Sequence, residues 1–176
     1  VKSILFSLFS VECKIVRTSD NEKYIYTPSA ITDFINYHFD LQCGVESKTI
    51  PDKIKRSPDS VIWSYLGGLA QDSHYYRDRP RIRMITCNEP SAIFTHQFLL
   101  SQGIICSLTE GTSSIGISPR RTEKKTPTKH HYKQFKLTIS GITAIHAARR
   151  INSVAYKHRS ALAKWDNLPT IIPNPN

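Results

Sequence analysis

The chain has 176 residues and a formal net charge of +10, from 24 Lys and Arg against 14 Asp and Glu. That length supports one sizeable core, or two smaller halves sharing one, and the cation excess favours a polyanionic partner because Lys and Arg displace counterions from phosphates. No apolar run approaches the ~20 residues that span a bilayer, and Val1-Lys2-Ser3-Ile4-Leu5-Phe6 is too short and polar for a signal peptide; an intracellular protein with no membrane partner is expected, in cytoplasm, nucleoid or organelle.

Cys13, Cys43, Cys87 and Cys106 are widely separated and form no C-x-x-C pair, so they read as free thiols of a reducing compartment rather than a zinc module. The chain holds no G-x-x-x-x-G-K-S, G-x-G-x-x-G or G-x-S-x-G, which argues against the familiar nucleotide-dependent and acyl-transfer chemistries.

In chain order, Ile4 to Phe9 is an apolar helical run, Val11 to Ile15 alternates as a strand, and Tyr24 to Thr27 predicts a second strand that leads through Pro28-Ser29 into a capped helix. Past Lys48-Thr49-Ile50-Pro51-Asp52-Lys53-Ile54, a helix is expected from about Pro58 to Asp72. Ser57, Pro58 and Asp59 supply its start, and Val61, Ile62, Tyr65, Leu66 and Leu69 recur at helical steps. Gly67 and Gly68 interrupt it. Each costs roughly 1 kcal/mol against alanine, so a close backbone approach is expected to repay the loss, placing Leu66, Gly67 and Gly68 at a helix interface or at a self-association face. Gly68 is the position at which an added side chain is expected to disrupt packing.

A hairpin is expected from Ser73 to Cys87, with Arg79, Arg81 and Arg83 on one face and Ile82 and Met84 on the other. Asn88 caps a helix running from Glu89 to Gln102, and Gly103 ends it. A strand pair follows between Ile104 and Ser140, with Glu110 to His130 as a long basic loop that includes Arg120, Arg121, Lys124 and Lys125. Within it Lys133 to Ile139 alternates: Phe135, Leu137 and Ile139 face helices, and Gln134, Lys136 and Thr138 face outward. A last helix is expected from Ile142 to about Asn152. A basic, hydrogen-bonding sheet surface suits a major groove; Arg81, Arg83, Lys133 and Lys136 are expected to contact nucleic acid, with Gln134 as a base reader.

Two stretches also read alike. The run from Ile4 through the strands to Ile31 parallels that from Ile93 through Ile104-Ile105-Cys106-Ser107-Leu108 to Thr143, which indicates an internal duplication.

The order of these pieces, K-x-I-P at Lys48 to Pro51, the helix with paired glycines, the basic strand ending at Asn88, the helix ending at Gly103 and Phe135-Lys136-Leu137-Thr138-Ile139-Ser140-Gly141, resembles the LAGLIDADG homing endonucleases of the intein-associated kind. The resemblance implies an α+β fold of αββαββα repeats with antiparallel DNA-binding sheets. Residues 1–56 would be the C-terminal part of a truncated first repeat, and 57–176 the second repeat and tail. It implies double-stranded DNA as partner and metal-assisted phosphodiester cleavage, with Mg²⁺ held by one acid near the end of each motif helix. Aligned on Gly68, Leu66 to His74 stands for the motif, and the metal-binding acid falls on Ser73. Asp72 is one residue early, about 100° around the helix, and is the nearest catalytic and metal-binding candidate. Lys157 occupies the neighbourhood of the basic residue that family members use after the last helix to polarise water and phosphate, and is the second catalytic candidate. With serine a poor substitute for a carboxylate, cleavage by this chain is expected to be impaired. The alternative is a non-catalytic DNA- or RNA-binding, maturase-like protein on the same scaffold.

Overall fold

The computed structural model describes residues 2–17, 23–40, 49–70, 73–116, 129–151 and 156–166. The chain is α+β and divides into two compact units, Val1–Cys43 and Gly44–Asn176. No helix among the described residues is long and apolar enough to cross a membrane.

The first unit holds α1 (Lys2–Phe9), β1 (Lys14–Arg17), β2 (Lys23–Tyr26) and α2 (Ser29–Phe39). β1 and β2 pair antiparallel with Lys14 opposite Tyr26. The first strand begins at Lys14, later than the alternation of Val11 to Ile15 suggested: Ser10 takes a left-handed turn at φ 54° and Cys13 turns into the core. There Cys13 packs with Leu5 and Ile31, behaving as a small hydrophobe. Pro28 opens α2, its carbonyl accepting from the amides of Ile31 and Thr32 at 3.0 and 3.3 Å.

Residues 49–56, expected to close the first repeat, pack within the second unit. Ile50 is buried, and its amide donates to Ser91 Oγ at 2.9 Å. After the short α3 (Asp52–Lys55) come α4 (Asp59–Leu69), β3 (His74–Tyr75), β4 (Arg81–Thr86), α5 (Glu89–Ser101), β5 (Cys106–Gly116), β6 (Lys129–Ser140), α6 (Ile142–Ile151) and α7 (Tyr156–Trp165). Asn88 caps α5 as expected, its side chain accepting from Ser91 N at 2.9 Å, and Gly103 leaves the helix at φ 74°.

The strands form one antiparallel sheet in the order β3-β4-β6-β5. β5 and β6 are longer than expected. The stretch from Glu110 to Gly116, expected in a loop on its Gly and Ser content, continues the ladder, with Gly111 opposite Gln134 and Thr112 opposite Lys133. Thr and Ile fit a pleated surface, and the ladder satisfies backbone groups that a loop would leave to water.

Helices cover one face of this sheet. Ile82, Leu137 and Ile139 meet Leu66 of α4, Leu99 of α5 and Trp165 of α7 in a single apolar cluster. The face of α6 in this cluster is small: Ala144, Ala147 and Ala148 are fully buried. Such a stripe lets neighbouring backbones approach, and the closest approach is at Gly67, where a Cβ would lie 2.5 Å from the Ile151 carbonyl oxygen.

Candidate functional site

Strand parity divides the second unit's sheet chemically. Paired residues of antiparallel strands project to the same side. Ile82 with Ile139 and Met84 with Leu137 therefore belong to the helix-packed face, while Arg81 with Ser140, Arg83 with Thr138 and Ile85 with Lys136 belong to the other. β5 extends that second face with Ser107, Thr109 and Gly111 opposite Thr138, Lys136 and Gln134, and β3 adds His74 opposite Arg83. None of the residues at these positions is acidic. Lys136 lies across Gly111, with Nζ 3.5 Å from where a Cβ would stand, so the glycine leaves room for the lysine to lie flat along the sheet.

The hairpin end of this face is organised by Tyr76, a residue without an expected role in the sequence. Tyr76 extends β3, its amide donating to Arg81 O at 3.1 Å. The guanidinium carbons of Arg79, Arg81 and Arg83 all lie 5.5–5.7 Å from its ring centroid. Arg79 reaches the ring from the turn rather than from the strand, which starts at Arg81. Arg81 Nε donates to Ser140 Oγ at 3.3 Å. Arg83 Nε is buried with no acceptor among the described residues. Beneath the ring, Trp165 Nε1 donates to Tyr76 O at 2.8 Å, which ties this backbone to α7.

Lys133 departs from expectation. It shares the parity of Phe135, Leu137 and Ile139, so it projects from the opposite side to Lys136. There Nζ stands 5.3 Å over the Phe135 ring, 3.1 Å from Glu110 and 3.9 Å from Glu89 at the start of α5. The hydrogen bond to Glu110, with the charges of Glu110 and Glu89, raises its pKa. The charged residues of the sheet are thus sorted: Glu110 and Lys133 pair on the helix side, and Arg81, Arg83 and Lys136 stand on the other.

The paired glycines do not share one role. Leu66 is buried in the core and Gly67 faces α6, whereas Gly68 is exposed, with nothing within 4 Å of where a Cβ would stand. Of the pair expected at a close approach, Gly67 makes it and Gly68, the position at which an added side chain is expected from sequence to disrupt packing, does not, because about 100° of helix rotation separates neighbouring positions.

At the end of α4, Asp72 lies outside the described residues, as do Arg120, Arg121, Lys124 and Lys125. Lys157 falls in the first turn of α7. Ser73, where the resemblance would place a metal-binding acid, is 3% exposed, and its amide donates to Ala70 O at 3.0 Å. A buried hydroxyl in place of a carboxylate does not suit Mg²⁺, which takes charged oxygen donors, and no group of His, Cys, Asp and Glu side chains among the described residues has a metal-binding arrangement. No cleavage step through a metal follows from these residues.

Cys13 and Cys106 are free thiols. Burial pushes the Cys106 thiol up to about 11 and raises the Tyr65 and Tyr75 phenols.

No family model and no curated protein matches the chain.

Proposed function

We propose that this protein binds double-stranded DNA through the polar face of the β3-β4-β6-β5 sheet, on a scaffold of the LAGLIDADG homing-endonuclease type. The observation that carries the reading is the separation of charge across one sheet: Arg81, Arg83 and Lys136 share a face with Gln134 and Thr138, while Glu110 is on the opposite side, paired with Lys133. A major groove admits a two-stranded antiparallel ribbon such as the β4-β6 pair at the centre of this sheet, where Arg and Lys meet phosphates or guanine and Gln pairs with adenine. The element order α4-β3-β4-α5-β5-β6-α6 supports the family reading, being one αββαββα repeat. In the first unit, α1-β1-β2-α2 follows the order of that repeat's second half.

On this reading binding persists while cleavage is impaired, because Ser73 replaces the acid that would anchor Mg²⁺. The experiment is a selection of binding sites from a duplex library, with cleavage of the same library assayed in Mg²⁺ or Mn²⁺. Selective binding that weakens as salt rises, without double-strand breaks, is expected. Absence of any duplex affinity at low salt would refute the binding, and breaks abolished by Asp72→Asn would refute the impairment.

A further inference from the structure

The geometry points to a phosphate receptor built around Tyr76, in which the tyrosine is a positioning residue that gathers Arg79, Arg81 and Arg83, and in which Arg83 Nε–H, shielded in the free protein, gains a phosphate oxygen as acceptor when its guanidinium turns toward the ligand. This deepens the nucleic-acid reading of the same face and rests on it; within that reading the ligand is a backbone phosphodiester.

Three like charges within 5.5–5.7 Å of one ring repel each other, and the ring offsets only part of that cost. Among the described residues, the carboxylate at ion-pair distance is Asp78, 3.8 Å from Arg79, with both side chains more than half exposed. Such a pair contributes little. An anion settling among the three guanidiniums relieves the remaining repulsion.

The donors are also unequally used. Arg81 Nε is engaged by Ser140 Oγ, whereas Arg83 Nε is shielded from water without an acceptor among the described residues. A buried donor left in that state is costly, and a charged oxygen is the strongest partner for it. A phosphate presents tetrahedral oxygens that separate guanidiniums can address from different directions; a carboxylate offers two oxygens in one plane, suited to a single fork. The platform is braced as a receptor requires: Tyr76 N donates to Arg81 O, and Tyr76 O accepts from Trp165 Nε1.

The test follows the arginine Nε–H signals of the full chain by ¹H–¹⁵N NMR, titrating inorganic phosphate at constant ionic strength with chloride as control. A saturable shift of the Arg83 signal with phosphate alone is expected. Tyr76→Phe should hold phosphate affinity within about twofold and Tyr76→Leu should lower it about tenfold, since the ring and not the hydroxyl does the positioning. If Tyr76→Leu loses its native amide spectrum, Arg83→Lys serves instead: it keeps the charge, removes the Nε–H, and should weaken phosphate binding about tenfold as read from the Arg81 signal. Shifts equal in chloride and phosphate, or affinity unchanged in the folded Tyr76→Leu or Arg83→Lys variant, overturn the receptor. Parallel duplex binding separates the two readings. Duplex affinity without a phosphate response, or a guanine preference lost in Arg83→Lys, sinks the receptor alone, and phosphate binding without duplex affinity upholds the receptor and sinks the DNA reading.

Discussion

Gly67 presses against the backbone carbonyl of Ile151, so that a methyl group on its Cα would sit 2.5 Å from that oxygen. The obstacle is main chain at the end of α6, which cannot rotate away as a side chain would. Gly67→Ala should therefore destabilise the second unit by about 1–3 kcal/mol, the usual cost of overpacking. Gly68→Ala meets open space in the same helix and should be neutral or stabilising by up to about 1 kcal/mol. Urea unfolding of the two variants checks this, and equal effects would contradict the assignment of the close approach to Gly67.

Opposite parity gives Lys133 and Lys136 different consequences. Lys136→Ala should lower duplex affinity and reduce the slope of log K against log salt by about 0.9, the value of one phosphate contact. Lys133→Ala, with its charge matched by Glu110 and Glu89 on the helix side, should change that slope far less. A salt series for the two variants decides the matter.

The amide of Ile50 depends on Ser91 Oγ for its hydrogen bond, in a buried site that joins residues far apart in sequence. Ser91→Ala leaves that donor unsatisfied and should cost about 1–3 kcal/mol. Amide hydrogen exchange should show Ile50 losing protection before the strands do.

Cys106 supplies a pH signature. Its thiol is held up to about 11 by burial, against an ordinary 9.0. As pH climbs past 9, the unfolded chain releases this proton while the folded chain retains it, so the contribution to stability is complete below that point and fades toward 11. Tyr65 and Tyr75, also raised by burial, act in the same direction at still higher pH. Cys106→Ala should accordingly lose less stability than the parent between about pH 9 and pH 11. Near pH 8 the smaller thiolate fraction of the parent's Cys106, partly offset by the greater nucleophilicity of a more basic thiolate, should slow its iodoacetamide labelling about tenfold relative to an unburied thiol, as read by peptide mapping.

The elements were legible where local chemistry decides them. Asn88 and Gly103 delimit α5, and the alternation of Phe135, Leu137 and Ile139 identifies both β6 and its buried side. The same alternation, carried two residues back, places Lys133 on the helix side; its charge suggested the opposite, but Glu110 and Glu89 accommodate it there. The continuation of β5 through Gly111 depends on its partner strand, which local composition does not encode. Choosing between Gly67 and Gly68 requires the direction of approach of α6. Tyr76 is hard to recognise from sequence because its nearness to Arg81 and Arg83 comes from hairpin register, although the run Tyr76-Arg77-Asp78-Arg79-Pro80-Arg81 holds all the parts.

The hydrogen bond from Trp165 to the Tyr76 carbonyl makes a distant element answerable for the arginines. α7 packs on the helix side of the sheet through Ala161 and Trp165, yet its last residue is a strut beneath the ring on which those guanidiniums rest. A chain cut short before Trp165 would keep every cation and every strand. Its grip on an anion would still slacken, and a survey of surface residues would misplace the fault, searching among the arginines for damage done at the far end of the chain.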